Sequence, residues 1–197
     1  MESYVELEEL WERYSDLLLS TFQDGEQTNV KFMLDELGER IIITPAGRLI
    51  REAGCEPGGM LRLSMQVASQ AVKLLEAYDM QPELKRSVVK IALLHDLGKV
   101  GDLNHDHFIP QDSDWHRDKL GAHYKFNDAE SLQKMTVAHR TLYLLQHYGI
   151  TITQNEWLAI QLAPGFHFEE NRWYVHDEPS LARVIQHAKY AVSRREA

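Results

Sequence analysis

Cysteine is almost missing from this chain: Cys55 stands alone. A single thiol closes no internal disulfide and builds no cysteine-based metal site. Long apolar runs are missing too. None approaches the roughly 20 residues that a bilayer-spanning helix needs, so no membrane partner is expected. Basic residues are in deficit, 21 Lys and Arg against 30 Asp and Glu, for a formal charge of −9. No Lys/Arg block or stripe interrupts that excess, which argues against duplex nucleic acid as a partner. Neither a Walker nor a dinucleotide glycine spacing occurs, and there is no repeat, low-complexity segment or linker. The opening MESYVELEELWERY is acidic and amphipathic, unlike a signal or transit peptide. With the cysteine count, this gives the expectation of an intracellular, cytoplasmic protein. Histidine is absent before position 95 and occurs ten times from His95 onward, so an imidazole-based site belongs to the second half.

The 197 residues, 44% apolar and 26% charged, suit one globular domain with a sizeable core. Helical periodicity dominates. Residues 3–22 place Tyr4, Leu7, Leu10, Trp11, Tyr14, Leu17, Leu18 and Phe22 on one face. Val30 to Leu37 reads as a short helix ended by Gly38, and 41–47 as an extended piece turning at Pro45. GCEPGG, 54–59, is a loop before a long helix from Met60 to Tyr78. Pro82 suits the first turn of the next helix, which runs to Asp96 through VVKIALL and is apolar nearly all round, so it is expected at the centre of the core. Residues 101–137 are rich in Asp, His and Gly and read as a long, partly ordered loop with a short helix near 115–121. Further helices are expected over 139–149, stopped by Gly149, over the segment capped by Thr151 or Thr153, and over 179–194. FHFEENRWYVHDE alternates about Glu170-Asn171 and predicts a β-hairpin near 166–177. The fold class expected is an all-α helical bundle with that one small hairpin. It forms a single domain over 1–197, with helices 1–40 packing on a core of about 41–194.

The chemistry concentrates in ALLHDLGKVGD, 92–102. On a helix His95 continues the face of Val88 and Ile91, while Asp96 lies about 100° round on the side of Ala92. Gly98 is placed to end the helix in a left-handed cap. Both side chains then leave the last turn of a buried helix, where one ion can touch both. A buried carboxylate demands a partner. It is either ligated, or satisfied by backbone amides with His95 as a core histidine.

LLHDLGK at the end of an apolar helix resembles the signature of the HD superfamily, all-α metal-dependent phosphohydrolases. The segment TPAGRLIREAGCEPGGMLRLSMQVA, with its Gly58-Gly59-x-x-x-x-Ser64-x-x-Val67 frame, is similar to the part that precedes that signature. PQDSDWHRDKLGAHYKFND and HRTLYLLQHYGITITQNEWLAI resemble downstream portions of phage-type and bacterial members, and LARVIQHAKYAVS resembles the terminal helix. The similarity covers about 41–193. It implies a helical bundle around a divalent ion (Mn, Fe, Ni or Mg) and a nucleotide or other phosphate ester as substrate, with the metal polarising the phosphoryl group and supplying hydroxide. It assigns catalytic roles to His95, Asp96 and Lys99, metal ligation to His95, Asp96 and His139, and phosphate contacts to Arg117 and Lys119.

Position by position, the chain departs from that pattern. The histidine after the glycine pair falls at Leu63, and the aspartate of the last helix falls at Lys189. An auxiliary histidine falls near Arg51, and a further His-containing position reads Ala163 to Gly165. Two protein donors do not hold a catalytic ion, since stable sites take three or four. Taken together the replacements have a physical logic. Without an ion Asp96 is unpaired, Lys189 supplies one positive charge, and Leu63 fills the space. An ammonium within about 4 Å of the Asp96 carboxylate is therefore expected; the other arrangement has Lys189 snorkelling to the surface.

Other clusters have two readings each. Asp102, His105, Asp106 and His107 form either a rebuilt metal site folded over His95 and Asp96 or a solvated polar loop. His116, Arg117, Asp118 and Lys119 start a helix as surface charges or phosphate contacts. His139, at a helix N-terminus, is a neutral ligand, a phosphate donor or a cap. Two functions follow. One is a divergent HD-type protein with little or no metal-dependent catalysis and a ligand-binding or interaction role, including a protein partner or a homodimer. The other is an active phosphohydrolase that recruits His105, His107, His116 or His139.

Overall fold

A computed structural model describes residues 4–193, and side chains from Glu6 onward; the outermost residues of the expected terminal helices and of the domain bounds, 1–3 and 194–197, lie outside the described residues. The chain runs α1 (Tyr4–Ser20), α2 (Gln27–Ile43), α3 (Gly59–Ala77), α4 (Lys85–Leu94), β1 (Phe108–Pro110), α5 (Asp114–Leu120), β2 (Tyr124–Phe126), α6 (Val137–His147), α7 (Gln154–Leu162) and α8 (Ser180–Ser193). Short 3-10 turns cover Pro82–Leu84, Leu97–Val100 and Glu169–Tyr174. The architecture is an all-α bundle with one small antiparallel hairpin. No helix among the described residues is long and apolar enough to cross a membrane.

The apolar VVKIALL run does sit at the centre. Val88, Ile91, Ala92, Leu93 and Leu94 are all buried, and α4 packs against α1, α3, α7 and α8. Tyr14 of α1 reaches across to donate to the Leu93 carbonyl at 3.0 Å. Burying such aliphatic side chains contributes about 1.5–3 kcal/mol each, which is why four helices converge on this one. The Gly58-Gly59 pair starts α3 at a backbone crossing. A Cβ on Gly59 would lie 2.0 Å from the Gly54 carbonyl oxygen, so only glycine fits.

Three expectations are corrected. Helix α2 runs through Gly38 instead of ending there, because Gly38 is a packing glycine: its missing Cβ would stand 3.0 Å from the Trp11 ring. Residues 41–43 accordingly close α2 rather than extend. Helix α4 ends at Leu94, and Gly98 is not its left-handed cap; it lies inside the 3-10 turn 97–100, with the positive φ at Gly101. The hairpin is not at 166–177, where a 3-10 turn stands. Asn171 is buried there and donates to the carbonyls of Gln161 and Gly165, which curls the segment. The strands lie instead within the stretch read as a loop, pairing Phe108 with Phe126, Ile109 with Lys125 and Pro110 with Tyr124. Thr153 is the cap of α7, in a full capping box with Glu156.

Candidate functional site

The signature segment is locked by Gly98. A Cβ there would fall 2.2 Å from the Val137 carbonyl oxygen, so its absence lets the first turn of α6 lie directly against it. The Gly98 amide donates to Thr141 Oγ1 at 2.8 Å, and Arg140 Nη1 donates to the Gly98 carbonyl at 3.2 Å. The next segment is held by Arg40 of α2. Its guanidinium donates to Asp106 Oδ1, the Asp102 carbonyl and the Val100 carbonyl at 2.7, 2.8 and 3.0 Å. The loop after the signature is therefore fastened from both sides.

Asp96 is 7% exposed and carries two cations. Lys189 Nζ donates to Oδ1 at 2.7 Å, and Lys99 Nζ stands 2.7 Å from Oδ2. The expected Lys189–Asp96 ion pair is thus present, and Lys99 adds a second ammonium. Lys99 also donates to the Ala46 carbonyl at 2.7 Å. Burial opposes ionisation of Asp96, but Lys189 and then Lys99 outweigh it and hold the carboxyl well below its ordinary range. Burial lowers the Lys189 pKa, with Asp96 pulling it back up and Lys99 adding to the fall.

His95 is 2% exposed and its Nδ1 faces the Ala92 carbonyl at 2.8 Å, which places the proton on Nδ1. Nε2 is then a lone-pair acceptor, and among the described residues no donor meets it. It lies 3.7 Å from Asp96 Oδ2. Burial is the main reason that the His95 pKa falls to about 4, so the ring is neutral near pH 7.

Two cavities meet at this charge cluster, both lined by Asp96, Lys99 and Lys189. One, of about 420 Å³, is walled by Phe126, Met135, Val137, Pro164 and Phe168 with His107 and Gln161. The other, of about 360 Å³, is walled by Leu63, Val67, Arg51 and His95. Leu63 thus lines the same cavity as His95. Arg140 is almost wholly buried and donates through Nη1 to His107 Nδ1 at 2.9 Å. That bond leaves the His107 proton on Nε2, and burial with the nearby Arg140 and Lys99 lowers its pKa to about 4.

The remaining candidates do not join the cluster. His139 is exposed and lines a separate groove with Leu142, Tyr143 and Trp157. Arg117 and Lys119 are exposed on α5, where Arg117 pairs with Asp114. His116 bonds Ser113 on the same helix at 2.7 Å. His105 faces Asp102 at 3.2 Å and Ser131 at 2.9 Å, and Asp106 belongs to Arg40, so of that loop only His107 reaches the site. Among the described residues no three or more His, Cys, Asp or Glu side chains converge as a metal cage would require. The donor set does not fit a divalent ion on its chemistry either, since both oxygens of Asp96 are engaged by ammonium groups that repel a cation.

Lys99 as a second counter-charge, Gln161, Asn171 and the buried Arg140 were not evident from sequence as parts of one site. Lys99 three positions after Asp96 is a readable signal once the segment is a 3-10 turn, in which i and i+3 eclipse. No family model matches this chain, and neither the curated proteins nor the solved structures yield a match.

Proposed function

We propose that this chain is a divergent HD-type protein. In it, a pocket neutralised by lysines binds a small phosphorylated molecule, with little or no metal-dependent hydrolysis. The reading rests on one observation: a single buried carboxylate is met by two ammonium groups at 2.7 Å, leaving that cluster one positive charge in excess beside a cavity whose other acid, Glu170, is exposed. An excess cation in a low-dielectric wall attracts an anion and disfavours a divalent metal. The cavity size suits a small molecule. His95 and Asp96 remain from the arrangement that the resemblance implies, and Lys189 takes the role of charge balance. Lys99 serves the same carboxylate and completes the cationic floor.

The test is metal content and turnover together. Untagged protein is dialysed against manganese, nickel or iron, its bound metal is measured, and it is assayed on a panel of nucleotides and simple phosphate esters. The expected result is far less than one metal per chain and no turnover sensitive to chelation. Stoichiometric metal that disappears in His95→Ala, accompanied by hydrolysis, would overturn the reading in favour of a working metal-dependent phosphohydrolase.

A further inference from the structure

A groove of about 650 Å³ opens where α1, α3 and α4 part, and no residue lines both it and the cavities at Asp96. Two contacts give its direction. A Cβ on Gly58 would meet the Leu7 side chain, which brings the starts of α1 and α3 together. Arg86 Nε donates to the Thr21 carbonyl at 2.7 Å, which brings the end of α1 to the start of α4. So α1 and α3 run side by side in one direction and α4 returns in the other. On α3 the lining extends from Arg62 to Glu76, about 21 Å at 1.5 Å per residue. The floor is apolar: Leu10 and Leu17 of α1, Met65 and Val72 of α3, and Val89 of α4, each half-buried. On both α1 and α3 the floor repeats every seven residues, the spacing at which an incoming helix repeats its own apolar face.

The rim is basic. Arg13, Arg62, Lys73 and Lys85 line the groove with one acid, Glu76, in a chain that has 21 basic and 30 acidic residues. Arg62 is shared with Glu56. Arg13, Lys73 and Lys85 are exposed and enter no ion pair among the described residues. The exposed acids of α1, Glu8, Glu9, Glu12 and Asp16, do not line the groove. Charges beyond about 8 Å are screened at physiological salt, so a segment seated here meets the basic rim more than the overall charge of −9. We infer that this groove docks an acidic amphipathic helix of another protein, about four turns long. Its apolar stripe lies on the floor and its carboxylates meet Arg13, Lys73 and Lys85. The α1 helix of a second copy does not fit, because its outer acids have no apolar stripe between them and its Leu10 and Leu17 already belong to its own groove. The inference stands apart from the lysine pocket at Asp96.

The test measures fluorescence anisotropy of labelled synthetic peptides of about 14 residues with the full chain. Each peptide carries leucines at helical spacing in an alanine background, and its flanks are Glu, the neutral isostere Gln, or Lys. The Glu peptide is expected to bind about tenfold tighter than the Gln peptide, and the Lys peptide not to bind. Lys73→Gln combined with Lys85→Gln is expected to weaken the Glu peptide about tenfold and leave the Gln peptide unchanged. Lys31→Gln combined with Lys134→Gln makes the same charge change on exposed lysines outside the groove, and is expected to weaken neither. Val72→Ser is expected to weaken both peptides about fivefold by removing part of the floor. Thermal unfolding of each variant confirms its fold. Equal affinity for the Glu and Gln peptides, an equal loss in the control pair, or no binding of the Glu peptide at millimolar concentration overturns the inference. A folded Val72→Ser protein with undiminished binding overturns the seating of the helix on the floor. A dimer in sedimentation that the Lys73 and Lys85 changes dissolve gives the groove to a second copy and overturns the partner inferred here.

Discussion

Two acids are buried in the same core, and the bundle treats them differently. Glu156, at the head of α7, is 1% exposed. It has one cation, Lys90 at 2.7 Å, and it accepts the Thr153 amide at 2.8 Å as half of a capping box. Charge is matched one for one, and the acid also receives a backbone N–H. Asp96, at the foot of α4, has two cations, both of its oxygens are taken by lysines, and it lines two cavities. Glu156 shows what a buried acid needs for structure alone. The second ammonium, and the open space on two sides of Asp96, go beyond that need. Where charge is over-compensated beside a cavity, the surplus is available to a ligand.

Mutations break the comparison most sharply at Asp96. Asp96→Leu leaves two partly buried ammonium groups without an acid, and is expected to lower stability by about 3–5 kcal/mol in urea unfolding. A loss under 1 kcal/mol would mean that both lysines simply turn out to solvent.

Acid sharpens the contrast, because only the Asp96 end carries a buried histidine. His95 has a folded pKa of about 4, below the ordinary 6.5. Between those values the unfolded chain binds the extra proton, so stability is full above pH 6.5 and falls as pH drops to 4. The His95 share is about 3 kcal/mol. Stability measured by urea unfolding across that window should show the slope, and His95→Gln should reduce it by about half, since His107, also lowered to about 4, keeps its own share. The Asp96 carboxyl is depressed, so its own contribution persists through this window and is lost only at lower pH. An unchanged slope in His95→Gln would show that the ring is not held neutral.

The lysines rank the two acids. Lys90→Met strips Glu156 of its one cation and is expected to cost about 3 kcal/mol. Lys189→Met leaves Asp96 still paired with Lys99 and is expected to cost about 1 kcal/mol, the worth of an ordinary hydrogen bond. The reverse order in chemical denaturation would make Lys189 the main support of Asp96 and remove the surplus.

Legibility in the sequence followed the range of the interactions. Periodicity located α1 because one apolar face repeats at 3.6 residues whatever packs on it. The Lys189–Asp96 pair spans 93 residues, and it was found by placing both residues in a pattern carried by the HD resemblance, not by periodicity. Gly38 and Gly98 misled for a common reason. Each reads as a helix stop, yet each is glycine because a neighbour, Trp11 or the start of α6, occupies the place of its Cβ. The alternation of 166–177 pointed to strands, but the burial of Asn171 and its three hydrogen bonds with Gln161 and Gly165 decide that segment. The true strands are three residues each and are separated by α5, too short and too far apart for a hairpin signal. The role of Arg140 depends on where His107 lands, which no local pattern encodes.

The central claim is that the Lys189 ammonium, with Lys99 beside it, stands where a divalent ion would otherwise balance Asp96. A high-resolution crystal structure of the protein grown in millimolar manganese tests it directly. The account predicts Lys189 Nζ within hydrogen-bonding distance of Asp96 and no anomalous manganese signal at His95. A manganese ion bound by His95 and Asp96, with Lys189 turned away from the carboxylate, would contradict it.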